Sequence, residues 1–169
     1  MRTMYAEFLR QYEDLRHMSL ADPSPDRLAS RTCYLPHHGV LRGASASTKL
    51  RVVFNGSSSL ASGGSLNEHL LPRPNLLPAL ADVLLRWRTH RYVIASDIEK
   101  MFRQIQVHQA DRDLQRILWP HNRTDDVREY QLNTVTYGLT CAPFLAIRTL
   151  RQLAVDEESA YPLEAATLR

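Results

Sequence analysis

The chain of 169 residues has only two cysteines, two lysines and six glycines, and no long apolar run. Cys33 and Cys141 lie far apart and form no C-x-x-C pair. A disulfide framework and a cysteine zinc site are therefore not indicated, and both are expected as free thiols in packed surroundings. Cys33, His37 and His38 stand close together, but a structural zinc takes four ligands and no second cluster supplies the rest. No stretch approaches the ~20 apolar residues of a membrane helix. The opening MRTMYAEFLRQYEDLRHM interleaves charged with apolar residues and lacks a signal-peptide core, which predicts an intracellular setting. The glycines of NGSSSLASGGS are not followed by Gly-Lys-Ser/Thr, so a P-loop is set aside.

What remains is an ordinary globular composition, 44% hydrophobic, long enough for one domain with a sizeable core. A net charge of +3 says little about a polyanionic partner. Lys49 and Lys100 are the only lysines, so nineteen of the twenty-one basic residues are arginine. Guanidinium groups fork onto phosphates and stack on bases, which suits nucleic acid, and a GC-rich gene gives the same bias. There are no internal repeats and no low-complexity domain.

In chain order, Met4, Phe8, Tyr12 (or Gln11), Leu15 and Met18 recur at helical spacing and predict an amphipathic opening helix without chemistry of its own. Asp22-Pro23-Ser24-Pro25 ends it in an extended linker. TCYLPHHGVL (32–41) and Leu50–Phe54 predict a hairpin whose long tip carries Lys49, with Arg51 on the return strand. Those cations suit a phosphate, or serve as edge charges against strand addition. Leu76, Leu80, Val83, Leu84 and Trp87 mark a helix packed on a sheet and ending near Thr89-His90. Gln115–Trp119 and Glu129–Asn133 predict a second hairpin, with Asp125 and Asp126 at its solvated tip. Gly138 permits close backbone approach, and Pro143 opens a helix along Phe144, Ile147 and Leu150. The tail from Asp156 gives weak helical signals.

The stretch from Arg91 to Val107, RYVIASDIEKMFRQIQV, organises the rest. Tyr92–Ala95 reads as a short strand buried on both faces, Ile98–Phe102 as a helical turn, and Gln104–Val107 as a second strand with one polar face. Asp97, at the strand end, has two readings. It is a helix N-cap, or a carboxylate presented beyond the sheet edge to a cation. Glu99, two residues on, either lies near the site or points elsewhere.

YLPHH, KLRVVFNGSSS, SDIEKMFRQIQV and LNTVTYGLTCAPFLAIRTL, in that order, resemble the reverse transcriptases, and most closely the polymerase of BEL/Pao-type long-terminal-repeat retrotransposons. The likeness runs from about Met4 to Arg151. It implies an α+β fold, with right-hand polymerase fingers and a partial palm of antiparallel sheet with packed helices. The divisions would be 1–30 (helix and linker), 31–90 (fingers-like hairpin, loop and helix) and 91–169 (partial palm). By the same resemblance Asp97 is a catalytic metal ligand, with the Ile98 carbonyl beside it. Phe102 is the steric gate against a 2′-hydroxyl, or else a core aromatic. Arg51 and Lys49 grip the triphosphate, and Tyr137 and Gly138 line the nucleotide pocket. The partners implied are a deoxynucleoside triphosphate and an RNA or DNA primer-template. The setting implied is the cytoplasm or a virus-like particle, within a polyprotein that also carries thumb, RNase H, protease and integrase.

Nucleotidyl transfer uses two Mg²⁺ (or Mn²⁺) ions about 4 Å apart, and one carboxylate does not hold both. The family supplies the others from a Y-x-D-D hairpin, which this sequence does not contain; Asn55 also stands where relatives commonly have Asp. The metal is therefore expected only in a complete domain. Two functions follow as expectations: a reverse transcriptase fragment inactive on its own, or a degenerate nucleic-acid-binding module without catalysis. Poor solubility of the isolated chain is also expected, from a sheet edge left uncovered.

Overall fold

In the computed structural model, which describes residues 1–22, 32–41, 50–120 and 125–168, the first helical pattern becomes α1 (Arg2–Asp14). Its inner face is Tyr5, Phe8, Leu9 and Tyr12, and Met4 and Leu15 are exposed. The face differs from the predicted one because the helix stops at Asp14 and the chain reverses through Arg16 at φ 58°, which takes Leu15 off the helical stripe. Met18 is buried, as expected of an apolar residue on that side. It sits not on the helix but in a strand, β1 (Met18–Leu20). Pro23 and Pro25 lie outside the described residues.

The first predicted hairpin forms as β2 (His37–Leu41) and β3 (Leu50–Phe54), antiparallel with His37 opposite Phe54 and Leu41 opposite Leu50. Period-two alternation places Leu50, Val52 and Phe54 inward and Arg51 outward. Beyond it come α2 (Leu66–His69), capped by Ser65, and α3 (Leu80–Arg88). The second hairpin is β4 (Arg116–Trp119) and β5 (Arg128–Leu132), and β1 adds to the free edge of β5 to give the order β1-β5-β4. The segment before β2 runs parallel to the other edge of β4, with Leu35 N–H donating to Arg116 O at 2.8 Å and Arg116 N–H to Cys33 O at 2.9 Å. The small sheets thus share one core of Leu9, Tyr12, Leu35, Phe54, Ile117 and Tyr130. Pro143 in the first turn opens α4 (Ala142–Asp156), and α5 (Pro162–Leu168) follows. The result is α+β with antiparallel sheets, and no helix among the described residues is long and apolar enough to cross a membrane.

Three expectations about the middle of the chain are corrected. Tyr92–Ala95 forms no strand, and it is not buried: Tyr92 is 77% and Ile94 91% exposed. A short run realises its β propensity only with a partner on an edge and an apolar layer on a face, and the described residues offer neither. The helix near Leu76 starts only at Leu80, because Pro78 disfavours helical backbone at Leu77, and it has no buried residue. Its apolar stripe is not buried against a sheet among the described residues. Gln104–Val107 keeps the predicted alternation, with Ile105 and Val107 half-buried, but its ladder is a single bridge, Gln106 to Thr134.

Two histidines are packed as neutral groups. His17 is 8% exposed, edge-on to Tyr12, with its Nδ1 buried and unpartnered among the described residues. Burial, helped by Arg103 and Lys100, holds its pKa below the ordinary 6.5. His37, bonded to the Tyr5 hydroxyl, is also lowered, mainly by burial. A folded pKa below the unfolded one means that the unfolded chain binds more protons as pH falls through 6.5. Stability is therefore undiminished above that pH and declines below it, until the folded histidines protonate in turn. The urea midpoint is expected to drop between about pH 7.5 and pH 5.5, and to drop less in His17→Gln. A midpoint independent of pH over that range would contradict the packing.

Candidate functional site

The site is built on β3. Tyr137, in the loop between β5 and α4, donates its hydroxyl to Val52 O at 2.6 Å, and the outward Arg51 lies over its ring at 5.4 Å. The next residue, Gly138, has φ +97°, and a Cβ there would fall 2.3 Å from Phe54 O. Only glycine lets the loop sit this close to the strand. Asn67 holds the arrangement from behind. Its Nδ2 donates to Ser57 Oγ at 2.8 Å and to Gly138 O at 3.0 Å, and its Oδ1 accepts from Thr140 N–H at 2.9 Å.

Opposite this wall stands the turn after Asp97. Met101 N–H reaches Ile98 O, Lys100 takes φ 54°, and a 3-10 segment runs from Met101 to Gln104. Positive φ at a non-glycine is uncommon and costs ~1 kcal/mol or more, which marks a place where surroundings dictate the backbone. The turn directs Phe102 and Arg103 back toward α1. Between α1, β3, Tyr137 and residues 97–103 lies a cleft of ≈ 710 Å³, walled by Phe8, Gln11 and Leu50 on one side and by Asp97, Phe102 and Tyr137 among others.

Its electrostatics are mixed. Lys100, Arg103 and Arg51 supply three cations against the carboxylates of Asp97 and Glu99. Lys100 pairs with Glu99 at 2.7 Å, and that pair holds the Glu99 carboxyl below the usual range. Glu99 thus lines the cleft, one of the two placements the sequence leaves open. Arg103 packs over the rings of Tyr12 (4.9 Å) and Phe8 (5.9 Å), and its Nη1 is buried without a hydrogen-bond partner among the described residues. Asp97 is exposed and makes no hydrogen bond or ion pair among the described residues. It does not cap the turn, whose cap position is Lys100 and which has no side-chain cap hydrogen bond. Burial raises the phenols of Tyr137 and Tyr12, and Tyr5 is pushed up to about 12. Tyr137, whose hydroxyl is already donated to Val52 O, gives the cleft a neutral ring face rather than charge.

Of the residues singled out in the sequence, Asp97, Phe102 and Tyr137 line one cleft, Arg51 lies over the Tyr137 ring, and Gly138 follows Tyr137 against β3. Ile98 is 44% exposed, and its carbonyl already accepts from Met101. Lys49 lies outside the described residues. Asp125, Asp126, Asp156, Glu157 and Glu158 are exposed and away from the cleft lining. Phe8, Gln11, Arg103 and Asn67 were missed. Phe8 and Gln11 belong to a helix read as carrying no chemistry, and no pattern in the sequence announces that it forms a wall of the cleft. Asn67 carried a usable signal, as an amide between two glycine-containing loops.

The donor set was weighed against the two ions of nucleotidyl transfer. Mg²⁺ takes six oxygens in near-octahedral order, and two ions need carboxylates that bridge them. Here there is one unpaired carboxylate, a second tied to Lys100, and a carbonyl already in use. Among the described residues no three His, Cys, Asp or Glu side chains lie together so as to hold a metal ion. The residues present do not fit a two-ion centre. Compared with known proteins, the chain matches no family model, and no curated protein sequence matches it.

Proposed function

We propose that the chain is the nucleotide-side part of a reverse-transcriptase-like polymerase, a cleft that takes a deoxynucleoside triphosphate beside a primer-template and that performs no transfer in the isolated chain. One observation carries the reading. Asp97, Phe102 and Tyr137, separated by up to 40 positions in sequence, line one cleft, and Arg51 lies over the Tyr137 ring beside it, which supports a shared role for the four. Arg51 is placed by its stack on Tyr137 to fork onto phosphate oxygens, and the stack pre-orders a side chain that is otherwise costly to immobilise. Phe102 and Tyr137 offer ring faces for sugar and base. Arg103 and Lys100 add positive charge at the floor. In this reading the parent protein is a retrotransposon polyprotein, and its particle or the cytoplasm is where the chain works.

The donor count favours a second reading, a nucleic-acid-binding module descended from such a polymerase. Primer extension tests what the two readings share, the absence of transfer by the isolated chain. With Mg²⁺ or Mn²⁺ the isolated chain is expected to give no product, because one carboxylate does not hold both ions. Template-dependent synthesis abolished by Asp97→Asn would restore full catalysis to the chain and overturn this. Arg51→Ala is expected to weaken triphosphate binding about tenfold, the loss of one charge-assisted phosphate contact. Isothermal titration checks it, and an unchanged affinity would remove Arg51 from the site.

A further inference from the structure

The run Arg91-Tyr92-Val93-Ile94-Ala95-Ser96-Asp97 stands outside the packed core. Tyr92, Val93 and Ile94 are 77%, 43% and 91% exposed, and residues 91–97 make no backbone hydrogen bond among the described residues. β-forming side chains on an unpaired backbone are a template for strand addition. The question is what kind of strand fits, and the run itself supplies the answer. Laid antiparallel against a copy of itself with Ile94 facing Ile94, it sets Arg91 opposite Asp97, Tyr92 opposite Ser96 and Val93 opposite Ala95. Two-fold symmetry repeats the Arg–Asp pair at both ends. A slip of one residue places Arg91 against Ser96 or Ile98 and loses both pairs. Among the described residues neither charge has an opposite partner: Arg91 lies over the Tyr92 ring at 5.3 Å, and Asp97 is unpaired.

We propose that residues 91–97 form a two-stranded antiparallel ladder with the same residues of a second copy, centred on Ile94 and held in register by two Arg91–Asp97 pairs. The interface is isologous and closes on two copies. It also withdraws Asp97 from the cleft, so the paired form and the cleft-occupied form exclude one another. The proposal goes beyond the polymerase reading and does not rest on it.

Sedimentation equilibrium of the full chain over a concentration series tests it. The expected result is a monomer–dimer equilibrium. In Arg91→Asp, where like charges oppose each other at both ends, dimerisation is expected to weaken about tenfold. In the swapped double variant Arg91→Asp with Asp97→Arg it is expected to recover. A chain that stays monomeric at every concentration, an association indifferent to Arg91→Asp, or a swap that does not recover would each overturn the proposal. Amide hydrogen exchange of the unaltered chain gives a readout that needs no variant. Protection of residues 92–96 that grows with protein concentration supports the ladder, and exchange there independent of concentration rejects it.

Discussion

Gly138→Ala is expected to cost on the order of 3 kcal/mol in urea unfolding, a large share of the stability of a domain this size. Two effects add. The position has φ +97°, and an L side chain in that region costs ~1–2 kcal/mol. The new Cβ would also lie 2.3 Å from Phe54 O, a backbone atom at the end of β3 that cannot swing aside as a side chain does. Gly63→Ala is the control. Its φ is +88° with nothing within 4 Å of the added carbon, so it should pay the conformational cost alone, ~1 kcal/mol. Equal losses at the two glycines would show that the loop does not press on β3. The Gly138 variant should also weaken ligand binding, because a displaced loop pulls the Tyr137 hydroxyl from Val52 O and unseats Arg51.

Asp113→Ala should be comparably damaging. Arg116 is 1% exposed, and its Nε and Nη2 donate to Asp113 Oδ1 at 3.0 and 2.8 Å while Nη1 reaches Glu129 at 2.8 Å. Removing Asp113 leaves a buried guanidinium with one carboxylate, Glu129, a loss of ~3–5 kcal/mol by the usual cost of breaking a buried pair. Glu129→Ala removes a carboxylate that is 43% exposed, where water replaces much of what is lost, and should cost ~1 kcal/mol. Arg116→Met, which removes the buried charge itself, should fall below Asp113→Ala. Chemical denaturation of the three variants gives the order, and Asp113→Ala proving the mildest would contradict a buried, charge-balanced Arg116. The stakes are architectural, since the Arg116 backbone also joins β4 to the segment that leads into the β2–β3 hairpin.

Both hairpins were legible in the sequence, because alternation and turn residues are local signals and each strand pairs with its neighbour along the chain. The proline-started helix α4 was legible for the same reason. What escaped depends on distant partners. β1 is three residues long with no alternation to read, and it exists because β5, more than a hundred positions later, offers an edge. Tyr92–Ala95 and α3 show the converse: their patterns promised a buried strand and a sheet-packed helix, and the described residues provide no surface to complete either. At the site, Asp97, Phe102, Tyr137 and Arg51 were named from the sequence. Arg103 was not, because an arginine folded back over Tyr12 and Phe8 is visible only once α1 is seen against the turn.

The central claim is that Arg51, Phe102 and Tyr137 make one site for a deoxynucleoside triphosphate. Titrating the isolated chain with matched deoxy- and ribonucleoside triphosphates, alongside Phe102→Ala, tests it most directly. The expected result is tighter binding of the deoxynucleotide by the unaltered chain and loss of that preference in the variant, with affinity for the ribonucleotide rising as the ring is removed. Equal binding of the two sugars by the unaltered chain, or no binding of either, would contradict the claim.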